Sequence, residues 1–262
     1  LGRTDLYETM VIKAADYIVE HGPATQQERW EENGGYSPST LAAEIAGLVC
    51  AGEMARQLGD EERARIYLET ADRWQAQVEK WCFTTTGWHG TGNYYVRISP
   101  HGDPNRWDIV DISNGGGRYD QREIVDAGFL ELVRLGVKAP HDPYIAESII
   151  AVDEVIKRET PKGIAWYRYN FDGYGEPADG SPYRGAGMGR LWTHLVGERG
   201  HYELARGNDP TPYLRTMENM ANQGYILAEQ VFEDTGEGTG GATPLCWSHA
   251  EYIRLLKSAH LG

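Results

Sequence analysis

Helical periodicity, with almost no strand pattern competing against it, most restricts what this chain can fold into. Eight segments read as helices, each bounded by a capping or breaking residue. The first runs from about Leu6 to Glu20, with Met10, Ala14, Tyr17 and Ile18 on one face and Gly22-Pro23 as its stop. The second spans about Thr40 to Leu58, with Leu41, Ile45, Leu48 and Val49 apolar. Asp60 caps the third, which reaches Trp81 and carries Ile66, Trp74 and Val78. Asp120 opens the fourth with Glu123 three residues on, the spacing of a capping box, and Gly136 closes it. Asp142-Pro143 opens the fifth. The sixth runs from near Gly189 to Ala205, with Gly197 and Gly200 as points of interruption. Asp209-Pro210 opens a seventh that ends near Gln230, and Thr243-Pro244 opens an eighth that reaches Ala259. One run, Tyr94 to Ile98, is β-like. With no strands suited to a parallel sheet between the helices, the class is all-α.

The connections are uneven, and several exceed the length that plain helix links need. Long structured loops are more often functional than accidental. Three of them hold the polar residues of interest: Arg29 to Ser39, Trp166 to Tyr183, and Glu229 to Thr243. The first places Glu31 and Glu32 beside Trp30 in a stretch rich in Gly, Ser and Pro. On its own that cluster also fits a solvated helix start, where carboxylates meet the positive dipole end. Tryptophan adds a flat face for a sugar, or an apolar wall that raises the pKa of a nearby carboxyl.

Composition narrows the partners. The formal net charge of −14 argues against a phosphate-backbone ligand, which would call for a basic patch. No apolar run approaches the roughly 18 residues of a membrane span. Eight Trp and sixteen Tyr against four Phe favour rings that both stack and hydrogen-bond, a bias shared by sugar-handling proteins and by large cores. The three cysteines, Cys50, Cys82 and Cys246, are odd in number and irregular in spacing, so they read as buried free thiols rather than a disulfide framework or zinc site.

Hydrolysing a glycosidic bond with inversion needs two carboxyls. One protonates the leaving oxygen, and the other activates water on the opposite face, roughly 6.5–9.5 Å away. Carboxylates distant in sequence, on loops at one end of a helical barrel, meet that demand. The segments Pro23-Ala24-Thr25 through Tyr36-Ser37-Pro38-Ser39-Thr40, Trp166 to Glu176, Gly189-Arg190-Leu191-Trp192 and Leu245-Cys246-Trp247-Ser248-His249-Ala250 resemble the catalytic domain of glycoside hydrolase family 15, in its bacterial glucoamylase and glucodextranase branch.

The resemblance implies an (α/α)6 barrel. The acid motif would precede the sixth helix of the barrel and the base would precede the twelfth. Here those motifs precede the second and eighth helical segments, so the chain is expected to supply helices five to twelve and to lack the first four. That leaves an apolar seam, completed by a second chain or an N-terminal segment outside this one. By the same resemblance Glu31 corresponds to the general acid, its pKa raised by Trp30, with Glu32 the adjacent sugar-binding carboxylate. Glu229 corresponds to the base, and Arg168 and Asp172 to the pair that holds glucose hydroxyls. The implied activity is an inverting exo-α-glucosidase that releases β-glucose from starch- or dextran-type α-glucans. A relative acting on isomaltose or trehalose, or a non-catalytic sugar-binding homologue, remains the alternative.

Blander roles fall to other residues. Trp247 is expected in the barrel core, His249 as a core or supporting histidine, Glu198-Arg199 as a structural ion pair, and Asp60-Glu61-Glu62 as a solvated helix start. The chemistry requires no redox cofactor. A structural calcium on the acidic loops stays open, although no loop matches an EF-hand.

Overall fold

The computed structural model describes residues 4–261. It is helix-rich, in the order α1 (Thr4–Leu6), a π-helical turn (Tyr7–Val11), α2 (Ile12–His21), α3 (Pro38–Gln57), α4 (Glu61–Gln75), α5 (Val78–Cys82), α6 (Leu130–Arg134), α7 (Pro143–Val155), α8 (Thr193–Ala205), α9 (Thr211–Met220) and α10 (Cys246–Leu261). Short antiparallel strands lie between them: β1 (Phe83–Thr84) with β2 (Tyr94–Tyr95), β3 (Ile109–Ile112) with β4 (Gly117–Asp120), and a four-stranded sheet β5 (Lys157–Thr160), β6 (Gly163–Tyr167), β7 (Leu191–Trp192) and β8 (Gln230–Val231). α3 packs along α4, and α8 lies against α9 and α10. Leu41, Leu48, Tyr67, Val196 and Leu255 on these helices, and Leu132 on α6, are buried.

Where capping signals were strong, the expected boundaries hold. The Asp60 side chain accepts from the Arg63 N–H at the start of α4, and Pro143 stands at the first turn of α7 behind Asp142. Four departures stand out, two of them caused by backbone pairing with segments remote in sequence. The third expected helix breaks after Gln75, which lets Val78 and Cys82 both turn into the core. At the fourth, the capping box of Asp120 and Glu123 forms but closes only a 3-10 turn. Val125 and Asp126 are then drawn into bridges with Val96 and Tyr169, and Asn170 accepts the Val125 N–H at 2.6 Å. The sixth starts at Thr193, because Leu191 and Trp192 pair with β6 and β8. The seventh stops at Met220, where the Asn222 side chain accepts from the N–H groups of Gly224 and Ile226 and turns the chain. Glu229 therefore lies at the entry to β8 rather than at a helix end.

Other expectations are corrected by burial and pairing. Cys82 is buried, but Cys50 and Cys246 are exposed. Trp247 is 55% exposed and so is not a core residue. Glu198 and Arg199 do not pair with each other: Glu198 holds Arg29, whereas Arg199 holds Asp153 and Glu203. Among the described residues, no helix is long and apolar enough to cross a membrane.

α8 is unbroken at Gly197 and Gly200, and close packing accounts for its glycines. A Cβ on Gly200 would stand 2.5 Å from Leu255 Cδ2 and 3.0 Å from the Tyr213 Cβ. Gly200→Ala is therefore expected to lower stability by about 1–3 kcal/mol through overpacking. A urea midpoint equal to wild type would contradict this packing.

Candidate active site

The loop from Gly22 to Ser37 is tied at its base by paired hydrogen bonds between Thr25 and Gly35, 2.8 and 2.9 Å long. Farther out, the Glu28 N–H donates to the Asn33 carbonyl and the Glu31 N–H to the Glu28 carbonyl, a tight turn that lifts Trp30 and Glu31 to the tip. Glu31 adopts a left-handed backbone, φ 61°. A non-glycine residue pays for this conformation, on the order of 1–3 kcal/mol, and such residues gather at functional sites.

The two glutamates flanking the tip are fixed by buried charge. Arg97 Nη2 donates to Glu28 at 2.6 Å and to Glu32 at 3.1 Å. Arg168 Nη2 reaches Glu32 at 3.3 Å and Asp172 at 2.7 Å, and Arg168 Nε donates to the second Asp172 oxygen at 2.8 Å. Tyr169 Oη also donates to Glu32, at 2.6 Å. The result is a continuous chain, Glu28–Arg97–Glu32–Arg168–Asp172, of alternating sign. Burial alone would depress the Arg168 pKa, but Asp172, Tyr169 and Glu32 drive it above the ordinary guanidinium value.

Trp30 is buried, and its indole N–H donates to Asp126 Oδ2 at 2.5 Å. The Arg168 guanidinium lies 5.1 Å from the Trp30 ring and 5.4 Å from that of Trp192. Arg29, behind the tip, is clamped by both Glu198 oxygens at 2.8 and 3.2 Å, which anchors the loop to α8.

The four-stranded sheet supplies the opposite wall. Arg168 follows β6, Trp192 ends β7, and Glu229 precedes β8; Trp192 pairs with both Trp166 and Gln230. Tyr174 Oη donates to Glu229 Oε2 at 3.2 Å. The Glu229 carboxyl is half-buried, and desolvation raises its pKa above the ordinary 4.5, partly offset by the Tyr174 hydrogen bond and the Arg168 charge.

Trp30, Glu31, Glu32, Arg168 and Glu229 line one cavity of about 430 Å³. Asp172 stands outside it, behind Arg168, where it also accepts the Tyr174 N–H at 2.8 Å. Of the residues expected at the site, five are thus gathered at one cavity, with Asp172 orienting one of them. The apolar enclosure expected around Glu31 is not formed: Glu31 is exposed, and its side chain has no hydrogen-bond partner among the described residues. Glu32, by contrast, accepts from Arg97, Arg168 and Tyr169, which fix its orientation at the cavity wall.

Tyr174, Trp192, Trp247, Ser113 and Asn114 also line the cavity. Tyr174 lies in the segment Trp166 to Glu176 and Trp192 in Gly189 to Trp192, where the sequence alone marks no role for either. Asn114-Gly115-Gly116-Gly117 carried only a turn signal. His249 has a supporting place, its Nε2 accepting the Leu227 N–H at 3.1 Å. Among the described residues, no three His, Cys, Asp or Glu side chains are arranged to hold a metal ion.

A sequence profile described as "Glycosyl hydrolases family 15" matches residues 2–257. A glucoamylase of Clostridium sp. (strain G0005) is 56% identical over 258 residues, which is 98% of this chain and 37% of that protein. The structure of a bacterial glucoamylase complexed with acarbose superposes with a TM-score of 0.97 at 55% identity, over 98% of this chain and 38% of that one. A glucoamylase from Saccharomycopsis fibuligera matches with a TM-score of 0.67 at 13% identity over 98% of this chain and 62% of that one, a likeness of fold alone. The all-α architecture expected of an (α/α)6 barrel is thus shown for the share that the chain spans, little more than a third of the curated relative's length.

The Glu229 environment generates a pH prediction. The Tyr174 hydroxyl stabilises the ionised carboxylate, so its removal in Tyr174→Phe raises the Glu229 pKa further. The base role expected of Glu229 requires the ionised form, so in that role activity is lost as pH falls through the higher pKa. The acidic limb of kcat/KM is expected to move to higher pH; an unmoved or lowered limb would contradict the assignment.

Proposed function

This chain belongs to glycosyl hydrolases family 15, and we propose from that premise that it carries both reacting carboxylates of an inverting exo-α-glucosidase acting on starch-type α-glucans. Glu31 is the general acid and protonates the glycosidic oxygen. Glu229 is the general base and takes a proton from the water that attacks the anomeric carbon from the opposite face. The observation that carries this reading is the convergence of Glu31 and Glu229, from loops at opposite ends of the sequence, on one cavity walled by Trp30 and Trp192.

The two carboxylates have environments suited to different work. Glu31 projects freely into the cavity and can meet a leaving-group oxygen. Glu229 is half-buried against Tyr174 and the Arg168 charge, which hold its ionised form in one orientation. Arg168, braced by Asp172, and Glu32 present fixed hydrogen-bonding groups to sugar hydroxyls, and the indole faces pack on the apolar side of the ring. None of these steps calls for a redox cofactor.

The starch-type substrate is supported by the glucoamylase name of the 56% identical relative. A binding-only homologue is disfavoured, because neither carboxylate is replaced. Completion of the pocket by a further barrel segment or chain is supported by exposed apolar residues on α10, Trp247 at 55% and Ile253 at 60%.

Glu31→Gln and Glu229→Gln are each expected to lower kcat on maltose by about 10²- to 10⁴-fold, with acarbose still bound in calorimetry. Near-wild-type turnover by either variant would remove that residue from the mechanism.

A further inference from the structure

The β3–β4 hairpin is short and polar, and it contributes little to the core; of its eight strand residues, only Val110, Ile112 and Asp120 are buried. Its tip nevertheless reaches the cavity, where Ser113 and Asn114 join Glu31, Glu229 and Arg168 in the lining. Three observations fix that tip in place. A Cβ on Gly173 would overlap the Asn114 carbonyl, and one on Gly116 would overlap the Phe171 carbonyl, so the hairpin rests backbone-to-backbone on the loop that follows Arg168. Asn114 itself is held in a left-handed conformation, φ 60°, which asparagine tolerates better than most residues. Finally, the Tyr183 hydroxyl donates to Asn114 Oδ1.

The last contact decides which part of the amide remains available. With Oδ1 engaged by Tyr183, the Nδ2 group is the free end, and it has no hydrogen-bond partner among the described residues. Tyr183 is itself seated edge-on against Tyr174, ring centroids 5.0 Å apart, and Tyr174 contacts Glu229. The amide donor is therefore held in register with the base. It also stands at the rim: Ser113 and Gly115 on either side are exposed, whereas Trp30 and Trp192 form the buried wall. In an exo-acting pocket the terminal sugar occupies the buried end, and the rest of the chain leaves through the rim. A donor fixed at the rim meets the next sugar.

We propose that Asn114, oriented by Tyr183 and carried on the β3–β4 hairpin, hydrogen-bonds a hydroxyl of the sugar on the leaving-group side and so sets the preference for a glucosyl leaving group over an aglycone without hydroxyls. This rests on the exo-α-glucosidase reading above. Asn114 acts on specificity by contact with substrate, and Tyr183 is a positioning residue that acts through it.

The test compares kcat/KM for maltose and for p-nitrophenyl α-glucoside, whose leaving group has no sugar hydroxyls, using the full-length protein. Asn114→Gly removes the amide and keeps the left-handed backbone accessible. Tyr183→Phe keeps the ring against Tyr174 and removes only the orienting hydroxyl. For Asn114→Gly the maltose value is expected to fall roughly three- to tenfold further than the aryl glucoside value, the effect of one neutral hydrogen bond. Tyr183→Phe is expected to shift the ratio the same way by less. Equal losses on both substrates, or an unchanged ratio in Asn114→Gly, would overturn the proposal while leaving the glucosidase reading intact. Wild-type protein that cleaves neither substrate would overturn the glucosidase reading and this inference with it.

Discussion

The buried chain of alternating charges, Glu28–Arg97–Glu32–Arg168–Asp172, is the constraint on which the site depends. Its members come from the first loop, the segment after β2 and the loop after β6, so it joins parts of the chain that no single helix connects. Such a network is a weak source of net stability, since desolvation offsets most of its attraction. Its consequence here is geometric. Glu28 and Glu32 are both immobilised, and the turn between them is left one way to run, with Trp30 turned inward and Glu31 turned into the cavity. The left-handed backbone at Glu31 follows from that confinement. Loss of Arg97 or Arg168 would strand carboxylates in a dry setting, a cost far larger than the benefit of the intact pair.

The helical part of the fold was legible because its signals are local. Asp60, Asp142-Pro143 and Gly136 mark their boundaries through hydrogen bonds within a few residues, and the structure places them accordingly. Of the strands, only β2, at the start of the β-like run Tyr94 to Ile98, was legible; the others are two to five residues long and gave no pattern of their own. Two residues cannot display an alternating period, and Leu191-Trp192 looks the same in sequence whether it begins a helix or bridges β6 and β8. That small sheet matters out of proportion to its size. Its register sets Trp192 between Trp166 and Gln230, and thereby brings Glu229 to the cavity that also holds Arg168.

The candidate site was legible to the extent that its residues lie in motifs. Glu31, Glu32, Trp30, Arg168 and Glu229 were nameable from three loops, and the fold brings them to one cavity. The division of labour was less accessible. That Asp172 works behind Arg168, that Glu32 is held by Arg97, Arg168 and Tyr169, and that Trp247 is exposed at the cavity rather than packed in the core depends on contacts across more than sixty residues of sequence in most cases. Arg97 lies in a β-like run that marks no role for it, and Asn114 lies in none of the three motif-bearing loops. Both acquire meaning only from what the folded chain sets beside them.

The central claim is that Glu31 and Glu229 act on opposite faces of one glycosidic bond, which fixes the stereochemistry of the product. The direct measurement is proton NMR of the anomeric signals during the first minutes of maltose hydrolysis by the full-length protein, before mutarotation mixes the anomers. Early accumulation of β-glucose is predicted. Early accumulation of α-glucose would mean retention of configuration and would contradict the assignment of these two carboxylates as acid and base.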